Sequence, residues 1–121
     1  MATHWKRCLW LAWLCMIPDS GNAATPMVSL GAQHALALRS DGTVVSWGSD
    51  ESGQLGAGRL PHETRPGRVV GLAGVRRIAS GVNHSLAVRS DGTVWTWGIN
   101  NVGQLGDGST INNSKPAQVR G

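Results

Sequence analysis

The sequence contains one motif twice, with a fixed spacing of fifty residues. Residues 31–44 (GAQHALALRSDGTV) return as residues 81–94 (GVNHSLAVRSDGTV). When residues 27–71 are set against 77–121, 20 of 45 positions are identical and no gap is needed. A repeat of this length is typical of folds in which one small unit stacks on the next. The chain of 121 residues therefore holds two copies of one structural unit and has room for one domain.

Each copy alternates side chains in the manner of short, half-buried strands. Leu36 and Leu38 share one strand face with His34, and Val45 shares a face with Trp47. Asp-Gly at 41–42 and 91–92 separates two such runs and predicts a two-residue hairpin turn, because that turn requires positive φ.

Further strands are predicted before and after each hairpin. One precedes it at 27–30 and 75–80, and another follows the repeat's proline at 68–70 and 118–120. The stretches from Gly48 to Pro66 and from Gly98 to Pro116 are predicted as loops. No segment after Ala24 combines helix caps with helical apolar spacing. Four short antiparallel strands per repeat are typical of one blade of a β-propeller.

The order of short motifs in each copy resembles the repeat of the regulator of chromosome condensation family. The motifs are Gly-x-x-His, Asp-Gly, Trp-Gly and Gly-Gln-Leu-Gly, followed by Pro-x-x-Val, and the resemblance covers about 95 of the 121 residues. Its structural repeat positions are Gly31, His34, Asp41, Gly42, Trp47, Gly48, Gly53, Gln54, Leu55 and Gly56, and in the second copy Gly81, His84, Asp91, Gly92, Trp97, Gly98, Gly103, Gln104, Leu105 and Gly106. The resemblance implies an all-β fold of four-stranded antiparallel blades, in which two repeats form part of a seven-bladed β-propeller. Residues 24–121 are then a partial propeller with repeats at 27–76 and 77–121.

The first 23 residues differ in character from the rest and are predicted to be a signal peptide. Lys6-Arg7 precede an unbroken apolar run of ten residues, 8–17, which is followed by small polar residues. The sequence suits cleavage after Ala23, with Ala24 as the alternative. A helix of ten residues spans only about half of a bilayer core, so a membrane anchor is the weaker interpretation. The product is therefore expected to be secreted or periplasmic and, once cleaved, not bound to a membrane.

Charge and cysteine content exclude several functions for the repeats. Without the first 23 residues the chain has 9 basic and 6 acidic residues, scattered along the sequence. Because a nucleic-acid surface needs a denser basic stripe, no nucleic-acid partner is predicted. Both cysteines, Cys8 and Cys15, precede the repeats, so the repeats lack disulfides and thiolate chemistry.

The residues of types that often act in catalysis or ligand binding are better explained here by structural roles. His34 and His84 recur in register without further metal ligands nearby in the repeat, and Asp41 and Asp91 are explained by their turns. The glycine-rich segments lead into no helix, so they do not predict phosphate binding and instead suit close packing between blades. Trp47 and Trp97 suit blade-to-blade packing better than a ligand platform. No catalytic residue, metal or cofactor is predicted, and the protein is expected not to be an enzyme.

Function is predicted to depend on positions that differ between the copies. The leading hypothesis is a secreted, non-catalytic module whose loops bind another protein or whose blades bind further repeats of the same propeller. The candidate partner loop comprises Arg59, His62, Glu63, Arg65 and Lys115. One alternative is a propeller-borne enzyme or accessory domain. Another is a nucleotide-exchange factor like the family's founding member, which the signal peptide disfavours.

Overall fold

The computed structural model describes residues 23–57 and 62–120, and these form two antiparallel sheets of four strands each. The first sheet contains β1 (Met27–Leu30), β2 (His34–Leu38), β3 (Val44–Ser49) and β4 (His62–Arg68), and the second contains β5 (Val75–Ser80), β6 (His84–Arg89), β7 (Val94–Gly98) and β8 (Asn113–Gln118). Neighbours in each sheet are neighbours in sequence. The all-β prediction is confirmed, and so are the bounds predicted for β1 and β5.

The two sheets pack face to face, and the alternation along β2 sets which side chains lie between them. His34, Leu36 and Leu38 point toward the second sheet and are buried. From the second sheet, Ala87 and Trp97 enter the same core. The predicted shared face of the histidine and the two leucines is confirmed. Sheet packing thus follows the period of two that the sequence shows.

The hairpins differ in detail from the prediction, because each turn contains three residues. Arg39 N–H donates to Thr43 O, and Gly42 N–H donates to Arg39 O. Gly42 has φ of 81°, whereas no described residue other than glycine has positive φ. Asp41 therefore keeps ordinary geometry, and its Oδ1 accepts hydrogen bonds from the backbone N–H and hydroxyl of Thr43. These bonds lower the pKa of Asp41, and Thr93 does the same for Asp91.

The fourth strand of each sheet lies earlier in the sequence than predicted. The structure places it at β4 and β8, so the predictions of strands at 68–70 and 118–120 and of a continuous loop before each proline are wrong. The pairing of β3 with β4 contains a bulge between Ser46 and Gly48, and Pro66 lies opposite it. A proline suits this outer strand because a bulge leaves a residue without a ladder hydrogen bond.

The predicted signal peptide lies almost entirely outside the described residues, of which Ala23 and Ala24 are the first. Ala24 is buried, and its backbone N donates to Ser40 O at 2.8 Å. Among residues 23–57 and 62–120 there is no helix of the length and apolar character that a membrane span requires.

Candidate functional site

The segment between β3 and β4 begins with a compact loop, residues 50–57, that its own side chains hold in shape. Asp50 Oδ1 accepts a hydrogen bond from Leu55 N at 2.9 Å, and Gln54 Oε1 accepts one from Ser52 N. Gly53 and Gly56 have φ of 79° and 68°, which permits the two tight bends. Leu55 is buried, and its carbonyl accepts the hydroxyl of Ser46.

This loop of the first repeat lies against the second sheet. The carbonyl of Gln54 accepts hydrogen bonds from Ser85 Oγ at 2.8 Å and from Trp97 Nε1 at 2.9 Å. A Cβ added to Gly53 would lie 2.6 Å from Ser114 Cα, and one added to Gly56 would lie 2.7 Å from Trp97 Nε1. We call Ser85, Trp97 and Ser114 the occupied seat, because the loop approaches them too closely for any side chain to intervene.

His34 extends the hydrogen bonds of the occupied seat into the first sheet. Its Nε2 lies 3.0 Å from Ser85 Oγ. Since that hydroxyl donates its single proton to Gln54 O, His34 must donate from Nε2. His34 Nδ1 is buried without a hydrogen-bond partner. Burial, and secondarily the charge of His84, lower the pKa of His34, so the ring is a neutral structural link.

The first repeat contains a second copy of this seat, and that copy is open. Ala35, Trp47 and Thr64 stand at the positions of Ser85, Trp97 and Ser114 of the second repeat. The residues that line its groove of about 510 Å³ are Gln33, Trp47, Gly48, Ser49, Glu63 and Thr64. We call this groove the open seat.

The two seats differ more in the burial of their side chains than in their sequence. Trp97 is 0% exposed, whereas Trp47 is only half-buried. Ile78 is 7% exposed, whereas its counterpart Val28 is 63% exposed; Leu30, two residues further along β1, is 72% exposed. The face beside the open seat is therefore apolar and uncovered.

We call the loop at residues 50–57 the docking loop. The second repeat has its own copy of it, at residues 100–107. Asn100 stands in the place of Asp50, and its Oδ1 accepts a hydrogen bond from Leu105 N at 2.9 Å. The hydroxyl of Thr96 donates to Leu105 O, as Ser46 does to Leu55 O. Gly103 and Gly106 keep positive φ but are exposed. The described residues thus present one uncovered seat and one uncovered loop, on opposite faces of the pair of sheets.

The candidate partner loop lies largely on strands. His62 begins β4, which also carries Glu63 and Arg65, and Lys115 lies on β8 of the other sheet. Arg59 lies outside the described residues. Glu63 lines the open seat, and its Oε1 accepts Arg65 N at 3.4 Å. The structure therefore groups Glu63 with Trp47 and places Lys115 on the other sheet.

Sequence reasoning missed the buried polar groups that shape the seats. Ser85, Thr96 and Asn100 are all buried, although each belongs to a polar residue type. A recurring signal marks one of these positions, because Asn100, like Asp50 in the first repeat, stands five residues before a buried leucine. Within residues 23–57 and 62–120, no three His, Cys, Asp or Glu side chains group as a metal site would require. The arrangement is suited to docking a loop through backbone hydrogen bonds and apolar contact.

Two four-stranded blades joined by a docked loop are the repeating element of a β-propeller. Models of the regulator of chromosome condensation (RCC1) repeat match residues 28–54, 75–104 and 91–121. The chain belongs to this repeat family, and the resemblance read from the motifs is confirmed.

Known relatives share part of this chain. The probable E3 ubiquitin-protein ligase HERC6 of Homo sapiens is 47% identical over 49 residues, covering 40% of this chain and 5% of that protein. The RCC1 domain-containing protein 1 of Mus musculus is 45% identical over 49 residues, covering 40% of this chain and 13% of that protein. The chain thus spans a small part of the curated relatives that it matches.

Solved propellers share the fold. Human WBSCR16 matches with a TM-score of 0.70 at 31% identity, covering 79% of this chain and 26% of the other. Yeast RCC1 (Prp20), solved bound to Kap60, matches with a TM-score of 0.65 at 33% identity, covering 76% and 22%. The described residues therefore correspond to about a quarter of such a propeller.

Proposed function

We propose that this protein is a non-catalytic, protein-binding module that binds through the open seat and the strand residues around it. The observation that carries the proposal is the difference between two equivalent sites, one filled by a loop and the other an open groove beside exposed Val28 and Leu30. Exposed apolar surface of this kind marks interaction sites on soluble proteins. Solved relatives support a protein partner, since Prp20 was crystallised with Kap60 and Prp20p is described as binding Gsp1p and histones.

The occupied seat indicates the chemistry of the segment that the open seat binds. Trp97 donates its indole N–H to a backbone carbonyl of a glycine-flanked loop. Trp47 offers the same donor and, among the described residues, has no acceptor for it. Ala35 stands where Ser85 donates in the occupied seat, so the open seat offers one hydrogen bond fewer. A glycine-rich loop of another propeller repeat fits these features, and Glu63, which lines the groove, would contact it.

Lack of catalysis is part of the proposal. Asp41 and Asp91 are engaged by the threonines of their turns, and the pKa of each is lowered, which suits a turn cap better than a proton carrier. His34 is held neutral between the sheets. A propeller-borne enzyme and a nucleotide-exchange factor remain the alternatives, and no contact in the described part favours either.

Self-association provides a direct test, because a second copy of the chain carries the matching loop at residues 100–107. We expect labelled chain titrated with unlabelled chain to associate, as measured by fluorescence anisotropy and sedimentation velocity. Trp47→Glu should weaken association about tenfold or more, because it places a charge in the seat. Val70→Glu is the control, since it puts the same charge on another exposed apolar residue. A wild-type chain that stays monomeric, or equal loss in both variants, would refute the proposed seat.

Export is the second part of the proposal, and it predicts a mature N-terminus at Ala24. Ala24 is buried and its backbone N bonds to Ser40 O, an interaction that a free amino terminus can keep. Expression of the full chain in a secreting host, followed by N-terminal sequencing of the exported product, should give Ala24 first. Replacing Ala23 with arginine should block this processing, because signal peptidases need a small residue before the cut. A cellular product that retains Met1 would contradict export.

A further inference from the structure

Arginines that are scattered along the sequence lie together at one end of the two sheets. This end holds both hairpins, because each turn joins a strand that finishes there to one that begins there. The carbonyl of Gly42 accepts a hydrogen bond from Val75 N at 3.0 Å, so the first hairpin contacts the start of the second sheet. Six of the eight Lys and Arg residues of the described ranges meet here: Arg39, Arg68, Arg76, Arg77, Arg89 and Arg120. We call this set the arginine rim.

The arginine rim contains more cationic than anionic side chains. Of the described carboxylates, Asp41 and Asp91 share this end, whereas Asp50, Glu51, Glu63 and Asp107 lie at or near the opposite, loop-bearing end. Arg89 Nη1 lies 3.9 Å from Asp91 Oδ2, too far for a strong hydrogen bond. Six cationic and two anionic side chains give the described residues of this end a net charge of +4.

A groove of about 460 Å³ opens within the arginine rim. Thr25, Met27, Arg76 and Arg77 line it. In the uncleaved chain, Arg76 Nη1 donates a hydrogen bond to Ala23 O at 2.8 Å. Arg39 lies at the same end of the sheets, where the backbone carbonyl of Ser40 accepts a hydrogen bond from Ala24 N. The groove itself combines Arg76 and the exposed Arg77 with an apolar wall at Met27.

We propose that the arginine rim binds an acidic segment of a partner protein, with Asp or Glu carboxylates on Arg39 and Arg77. Guanidinium groups pair with carboxylates through two parallel hydrogen bonds, and the groove beside Met27 can bury an adjacent apolar side chain. A nucleic acid fits less well, because Asp41 and Asp91 interrupt the positive surface. Trp95, the aromatic residue at this end, is half-buried beneath Arg89, whose guanidinium carbon lies 5.6 Å from the ring. This surface is separate from the open seat.

The test uses the full chain and a fluorescein-labelled oligoglutamate peptide, followed by fluorescence anisotropy at low and raised salt. Arg39→Gln with Arg77→Gln should weaken peptide binding about tenfold, and raised salt should weaken binding to the wild-type chain. Both arginines are exposed, so circular dichroism and melting should match the wild type.

The control is Arg65→Gln with Lys115→Gln, which removes the same charge from exposed positions on the outer strands. This pair should leave oligoglutamate binding within about twofold of the wild type. Equal weakening by both pairs would overturn the inference, since net charge alone would then explain binding. Tighter, rim-dependent binding of duplex DNA would also overturn it, in favour of a nucleic acid. Neither result bears on self-association through Trp47, so this inference and the proposed function fail separately.

Discussion

Replacing Trp97 with alanine is expected to lower the free energy of unfolding by about 3–5 kcal/mol, well beyond the effect of the same change at Trp47. Trp97 is fully buried between the sheets and donates its indole N–H to Gln54 O. Its removal leaves a cavity and takes away one of the two hydrogen bonds that Gln54 O accepts in the occupied seat. Trp47 stands at the same repeat position, on β3 where Trp97 is on β7, but it is only half-buried. Its loss should cost about 1 kcal/mol.

Urea unfolding of the full chain, monitored by circular dichroism at low protein concentration, measures both variants. The low concentration matters because association through the open seat would bury Trp47 and increase the loss of stability caused by its replacement. The pair is matched in residue type, strand and neighbours along the chain, so the difference reports contact between blades. Equal losses at the two positions would show that Trp47 is covered in the isolated chain.

Gly53→Ala is expected to destabilise the protein by about 2–5 kcal/mol, whereas Gly103→Ala should cost only about 1–2 kcal/mol. Both glycines have nearly the same φ, 79° and 78°, so the left-handed backbone conformation destabilises an alanine equally at either position. At Gly53 the added Cβ would also lie 2.6 Å from Ser114 Cα, a backbone atom that cannot rotate away. At Gly103 the nearest atom is Ser109 O, at 3.9 Å.

The difference between these two substitutions isolates the packing of the docking loop from its backbone geometry. Thermal and urea unfolding should show the ordering, and Gly53→Ala should also raise the exposure of Trp97 to fluorescence quenchers. If the two variants were equally stable, the loop would be tolerant of displacement and the occupied seat would contribute little to stability.

Much of the fold follows from local pattern. The period of two along residues 34–38 sets which side chains face the neighbouring sheet, because successive strand residues point to opposite sides. Asp-Gly marks the hairpins even though the turn is one residue longer than predicted, since only glycine takes positive φ there. The outer strand of the first sheet is predicted too late in the sequence, because proline is unfavourable inside a strand and Pro66 therefore indicates a loop. Only the pairing with β3 shows that a bulge accommodates it.

The sequence by itself determined the two repeats, their strands and the glycines of each loop, because these depend on backbone conformation within one copy. Only the tertiary structure decided that Trp97 is buried while Trp47 is open, since that depends on which sheet lies beside each copy. It also decided that the scattered arginines meet at one end. Antiparallel pairing returns the chain to the same end of the sheets after every second strand, so residues far apart in sequence, such as Arg39 and Arg77, lie at the same end.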